Sequence, residues 1–154
     1  MSDGSEVQDP VPVRIPRARM VIAVLSLVGV FVALYLSMYK WGMTGALQCT
    51  IGGCEVVQNS PWSELFGRPV SEWGLAAYLF LLVVSLIGLQ PRFLQARWVS
   101  LAIFATAAIG VAFSGYLTYL EAFVIEAWCQ WCVISAILVT LIFFLSIPGL
   151  RRAR

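Results

Sequence analysis

Four cysteines carry the redox chemistry available to this chain. Two of them, Cys129 and Cys132, sit in the stretch "EAWCQWCVISA", where a polar segment gives way to an apolar run. The other two, Cys49 and Cys54, lie in "CTIGGC", inside a long loop. A thiolate is the nucleophile of disulfide exchange. At i and i+3 on a helix, Cys129 and Cys132 share a face, and a helix N-terminus favours the negative charge of a thiolate. Gly52 and Gly53 precede Cys54 and permit unusual backbone angles. With that freedom Cys54 can bond Cys49 at one moment and Cys129 at another. The sequence contains no histidine, which removes histidine bases, histidine metal ligands and histidine-ligated haem.

The elements that must position these thiols are membrane helices. Of the 154 residues 60% are hydrophobic and 12% charged, against about a quarter charged in a typical soluble domain. Four apolar runs are long enough to cross a hydrocarbon core, which takes about 20 helical residues. They are Met20–Met38, Glu72–Leu89, Trp98–Leu120 and Trp128–Ile147. The expected fold is an all-α membrane protein, a four-transmembrane-helix bundle over residues 20–147 with a long loop, 39–71, between helices one and two. A polar, proline-containing tail, Met1–Pro16, reads as disordered, so that residues 1–19 and 148–154 flank the bundle as tails.

Basic residues orient it. Arg14, Arg17 and Arg19 precede the first run, Arg92 and Arg97 separate the second from the third, and Arg151, Arg152 and Arg154 follow the fourth. Both termini are therefore expected in the cytoplasm. The long loop and the short turn Glu121–Ala127 are expected on the opposite, exported face. Tyr35, Tyr39, Trp41, Trp62, Trp73, Tyr116, Tyr119, Trp128 and Trp131 cluster toward that face, as interfacial aromatics do; membrane anchoring explains each of them without any chemistry. No cleavage of the first run as a signal peptide is expected, since it is long and no small-x-small site follows it cleanly.

On this topology all four cysteines meet at the exported face, in an oxidising space such as the bacterial periplasm. Making a disulfide releases two electrons, and an acceptor is needed. The sequence shows no glycine-rich dinucleotide fingerprint, haem ligation or iron–sulfur spacing. A lipid-soluble quinone needs no such motif and would lie between the helices, its ring beside Cys132. Two plainer readings stay open. Static disulfides would staple the outer loops of a non-enzymatic membrane scaffold, and four thiolates would hold zinc.

The chain resembles the vitamin K epoxide reductase family, in its bacterial branch, over nearly everything from the first run to the fourth. The resemblance rests on the loop pair Cys49 and Cys54, on "CEVVQNSPW", on "GRPVSEWGL", on "SGYLTYLEAFVIEAWC" and on "CQWC". The order of the pairs separates it from the other quinone-coupled oxidase type, DsbB, in which the CxxC comes first. The resemblance implies that Cys132 reacts with the quinone and that Cys129 is its partner, receiving exchange from Cys54. It implies that Cys49 meets an external thioredoxin-like protein, and that Ser60 lies near the quinone. Ser60 also reads as a helix N-cap, with Pro61 at the first helical position.

The chain departs from the family in places. Many bacterial members carry a fused thioredoxin-like domain after a fifth helix; this chain stops at Arg154, so a separate DsbA-like partner is expected. The animal enzymes place a tyrosine where Ala136 stands and an asparagine where Val70 stands. Ubiquinone or menaquinone is therefore expected as acceptor in place of vitamin K epoxide. The expected activity is that of a thiol:quinone oxidoreductase in the bacterial inner membrane, supporting disulfide-bond formation. The reverse flow, in which a thioredoxin-like reductant drives quinone or epoxide reduction, is left open by the sequence, because direction depends on partner and quinone potentials.

Overall fold

Each apolar run folds as a helix long enough to cross a bilayer in a computed structural model that describes residues 17–50 and 52–152. The order is α1 (Arg17–Lys40), a short α2 (Cys54–Gln58), α3 (Val70–Leu89), α4 (Arg97–Leu120) and α5 (Gln130–Arg152). The tail Met1–Pro16 lies outside the described residues. The long helices are apolar on every side, because one face meets neighbouring helices and the other meets lipid. Phe31, Phe80 and Phe144 are among the outward-facing residues. Helix α1 packs on α3 and α5, and α4 packs on α5 and α3, so the four close into a ring. All four contribute to one core, with Ile22 and Val32, Leu81, Ile103 and Ile142 among its members.

Without a hydrophobic force between helices in lipid, small residues set how closely they approach. Gly29 on α1 is such a place: a Cβ there would run into the ring of Tyr78 on α3. At the basic end, Arg19 is buried. Its guanidinium donates to the Gly88 carbonyl at 2.6 Å, to the Phe93 carbonyl at 3.2 Å and to Ser100 Oγ at 3.2 Å. The last carbonyls of α3 have no partner within their own helix, and Arg19 supplies one while tying α1 to α3 and α4.

The opposite end is more structured than a plain loop. After α2, a single 3₁₀ turn at Pro61–Ser63 leads into a hairpin of β1 (Glu64–Leu65) and β2 (Arg68–Pro69), in antiparallel register with Glu64 opposite Pro69. Its two turn residues, Phe66 and Gly67, both have positive φ, 55° and 73°, as a type I′ hairpin turn requires. Glu72, an unexpected charge at the head of a membrane helix, lies in the first turn of α3. There it accepts from Trp41 Nε1 at 2.8 Å and from Arg68 at 3.1 Å.

Several boundaries differ from the sequence expectation, the two ends of α1 and the start of α3 by two or three residues. The segment expected as a turn at Glu121–Ala127 begins as a π-helical continuation of α4, Glu121–Ile125, ended by Glu126 at φ 55°. Helix α5 then starts at Gln130, not Trp128, because residues 126–129 are not helical. At its far end α5 runs past Ile147 and through Pro148 to Arg152, although a proline there removes the N–H that would meet the Phe144 carbonyl.

Candidate functional site

The late start of α5 changes how the CxxC pair is held. Cys129 is not on the helix face with Cys132; it precedes the helix, and its carbonyl accepts the Val133 N–H at 3.0 Å. Cys132 lies in the first turn. Both cysteines carry free thiols, whereas Cys49 and Cys54 are joined in a disulfide with Cα atoms 6.3 Å apart. All four gather in one cluster with Leu36, Leu47 and Val57. Within it, Cys54 and Cys129 are fully buried and Cys49 and Cys132 are partly accessible. Each pair thus has one interior and one outward thiol.

Local chemistry fixes this arrangement. Around Cys49, the Gln48 N–H donates to the Tyr35 hydroxyl at 3.0 Å, and Trp131 Nε1 donates to the Gln48 carbonyl at 2.9 Å. The Thr50 N–H donates to Gln130 Oε1 at 3.1 Å. The Tyr35 and Trp131 rings pack with centroids 5.1 Å apart. The loop pair is therefore pinned to the C-terminal half of α1 and to the head of α5. Gly53 completes the approach. Its φ is +117°, and a Cβ built there would lie 3.1 Å from the Trp128 carbonyl and 3.2 Å from Ala127 Cβ. Only a glycine lets Cys54 come up against the non-helical segment 126–129 that carries Cys129.

The Cys129 thiol is lowered to about 7 by the hydrogen bond from the Cys132 thiol, against burial and the Glu121 carboxyl, which push it up. A thiolate near neutral pH was expected from the helix N-terminus; the neighbouring thiol is the larger cause. Gln58, buried at the end of α2, donates from Nε2 to Cys132 Sγ at 3.7 Å. Its own carbonyl accepts from Lys40 Nζ at 2.9 Å, which ties α2 to the end of α1.

Cys132 opens onto a cavity of about 440 Å³ between α1, α3, α4 and α5, roofed by residues 57–65. This lies within the usual range of about 300–1,000 Å³ for small-molecule sites. The walls are mostly apolar, with Leu36, Leu81, Ile109 and Phe113 among them, and a few polar groups converge on it. Ser60 is one, and it does cap the Pro61–Ser63 turn by position, but its side chain makes no cap bond. Its hydroxyl donates backwards to the Val57 carbonyl at 2.7 Å. Val70 also lines the cavity; Ala136 is not among its lining residues.

Four further lining residues were not singled out from the sequence. The Tyr78 hydroxyl donates to the Ser135 carbonyl at 2.8 Å and lies 3.0 Å from Ser135 Oγ. Ser71 Oγ is buried without a partner among the described residues. Glu121 is 3% exposed and accepts the Cys129 N–H at 3.1 Å through Oε2. Ser71 and Tyr78 carry no sequence signal, being a small polar residue and an aromatic at the head of an apolar run. Glu121 did carry one: an acid between "SGYLTYL" and "AFVI", inside apolar surroundings, marks a functional position by default.

A helical membrane protein with a thiol pair opening onto an apolar cavity, and a disulfide packed against it, has the build of a membrane oxidoreductase. A sequence model of the vitamin K epoxide reductase family matches residues 20–147. The chain belongs to that family, as the order of its cysteine pairs led one to expect. Its members are membrane thiol oxidoreductases that in general use quinones.

Proposed function

We propose that this protein is a thiol:quinone oxidoreductase that reoxidises a separate, exported thioredoxin-like (DsbA-like) protein and passes the electrons to ubiquinone or menaquinone. The observation that carries this reading is the division of labour among the sulfurs. Cys49 is accessible from the loop side, Cys132 opens onto the cavity, and Cys54 and Cys129 are buried between them. The cavity suits a quinone: its walls are apolar, and the unpartnered Ser71 hydroxyl offers a donor for a ring oxygen.

In this reading a thiolate of the reduced partner attacks Cys49, opens the Cys49–Cys54 disulfide and leaves as the partner's own disulfide. Cys54 then exchanges with the Cys129–Cys132 disulfide, which restores the loop disulfide and leaves Cys129 and Cys132 as thiols. That is the combination of bonded and free cysteines in this structure. Oxidation of the two thiols to a disulfide gives up two electrons and two protons, and the quinone takes up both as hydroquinone. The basic end, with Arg19, Arg92, Arg97 and Arg151, faces the cytoplasm of the inner membrane, and the cysteine end faces the exported space.

The test is quinone reduction by a reduced thioredoxin-like protein, with the membrane protein in nanodiscs and a short-chain ubiquinone analogue as acceptor. Cys132→Ala is expected to lower turnover to below about 1% of wild type, since it removes the thiol that opens onto the cavity. Undiminished turnover in that variant overturns the reading.

A further inference from the structure

We infer that Glu121 is the proton carrier between the Cys129–Cys132 thiols and the oxygen of the bound acceptor. The inference rests on the thiol:quinone reading above and deepens it. That chemistry has a proton requirement which sulfur alone does not meet. Two thiol protons must leave a largely buried, mostly apolar site, and two must arrive on the quinone oxygens. A group that exchanges protons at both places is needed inside the cavity.

Among the described residues Glu121 alone has this placement. It is almost wholly buried, in the π-helical turn that extends α4. Such turns recur at functional sites because the extra residue per turn redirects side chains. Its Oε2 accepts the Cys129 N–H at 3.1 Å, and the carboxyl lies beside the Cys132 thiol. The same residue lines the cavity. Among the described residues it forms no ion pair, since the two present are Lys40–Glu64 and Arg68–Glu72. The groups that face it are the Cys129 and Cys132 thiols at the head of α5; on the α2 side Gln58 is uncharged, and Lys40 is turned to Gln58, Ser63 and Glu64. A purely structural hydrogen bond to the Cys129 N–H would be served equally by a glutamine. A carboxyl without a cation, inside a membrane helix, is costly to keep for structure alone.

The step balances without any other reactant. As the Cys129–Cys132 disulfide forms, each thiol gives its proton to the Glu121 carboxylate in turn, and the carboxyl hands it to a quinone oxygen. The two electrons that the sulfurs give up as the S–S bond forms pass to the ring. Two thiols and a quinone become one disulfide and one hydroquinone, and Glu121 ends in its starting state.

Glu121→Gln keeps an acceptor for the Cys129 N–H but holds no exchangeable proton. In nanodiscs with a short-chain ubiquinone analogue, this variant is expected to keep its KM for quinone within twofold and to lose about 100-fold in turnover, the scale of general acid–base catalysis. Iodoacetamide labelling of Cys132, the thiol that opens onto the cavity, read by mass spectrometry without quinone, supplies a second readout. The wild-type rate is expected to rise with pH in two steps, one for the carboxyl and one for the thiol. In the variant a single step is expected, moved to lower pH, because the neighbouring negative charge is gone. Glu121→Asp is expected to keep the two steps and recover at least a tenth of the turnover. Turnover within threefold of wild type in Glu121→Gln overturns the inference. So does lost turnover with an unchanged labelling profile, or turnover that merely tracks the folded fraction in both variants. A wild-type protein that cannot reduce quinone brings down the underlying reading, and this inference with it; an active wild type beside an active Glu121→Gln overturns the proton step alone.

Discussion

At the basic end of the bundle, Arg19 threads its guanidinium between α3 and α4 and meets two carbonyls and a hydroxyl. At the cysteine end, about as many buried polar groups surround a void, and several keep unused capacity. Ser71 Oγ has no partner among the described residues, the Glu121 carboxyl meets one backbone N–H and no cation, and two thiols stand free. Both ends bury charge or polarity in a membrane protein, where an unsatisfied group is expensive. Ser26 and Ser85 on α1 and α3 are likewise buried without partners among the described residues, so the difference lies in charge: a cation met by three acceptors is a fastening, and a carboxyl and two free thiols at a cavity make a reaction site. The contrast also explains why the loop must be elaborate: a cavity with reactive walls needs a roof that holds its shape, and α2 with the β1–β2 hairpin supplies it.

The largest effect expected from breaking this contrast is on stability. Arg19→Met keeps most of the side-chain volume and strands the buried Gly88 carbonyl and Ser100 hydroxyl, while the Phe93 carbonyl keeps the Ala96 N–H. At about 1–3 kcal/mol for each buried group left unsatisfied, the loss should amount to several kcal/mol. It is to be read from thermal melting in detergent. Quinone turnover per folded molecule should stay within about twofold of wild type. A variant that melts like the wild type but turns over slowly would show that the two ends are coupled, and the separation drawn above would fail.

Gly53→Ala acts on the other end and should be intermediate. A left-handed backbone angle for a residue with a side chain costs about 1–3 kcal/mol, and here the new methyl also meets the Trp128 carbonyl. The segment 126–129 and the head of α2 must separate by a few tenths of an ångström, so the main consequence falls on sulfur-to-sulfur exchange. Exchange between the loop and helix pairs, followed by quenched alkylation, is expected to slow by about tenfold, with single-turnover oxidation of Cys129 and Cys132 by quinone nearly unchanged. Equal slowing of both steps would mean that Gly53 supports the cavity and not the relay.

Much of this was legible in the sequence, and the reason is physical. Four helices follow from four apolar runs because a membrane leaves the backbone almost no alternative. The gathering of the cysteines follows from alternate crossing of the membrane, which puts residues 49, 54, 129 and 132 at one end whatever the packing. Helix ends were less legible. The start of α5 depends on Glu126 taking a left-handed conformation and on the Glu121 carbonyl accepting from both Glu126 and Ala127, neither of which has a periodic signature. Arg19 was read only as an orienting charge, since burial against α3 and α4 is a fact of tertiary packing. Ser60 was placed rightly at the head of a turn, but the direction of its hydroxyl is set by the α2 carbonyl behind it.

That direction yields the smallest effect and the finest test of the contrast. Ser60 and Ser71 both line the cavity, yet one hydroxyl proton is committed to the Val57 carbonyl and the other to nothing described. A net hydrogen bond is worth about 1 kcal/mol, close to a fivefold change in affinity. Ser71→Ala is therefore expected to raise the KM for a ubiquinone analogue about fivefold and to leave the melting temperature unchanged or slightly higher. Ser60→Ala is expected to lower the melting temperature slightly, because the Val57 carbonyl loses the Ser60 hydroxyl and keeps the Ser60 N–H, and to change KM by less than twofold. Reversal of the two KM effects would show that Ser60 turns from Val57 to the quinone on binding. The roof of the cavity would then belong with the reacting groups, while the Ser71 hydroxyl would be an unfilled valence without a function.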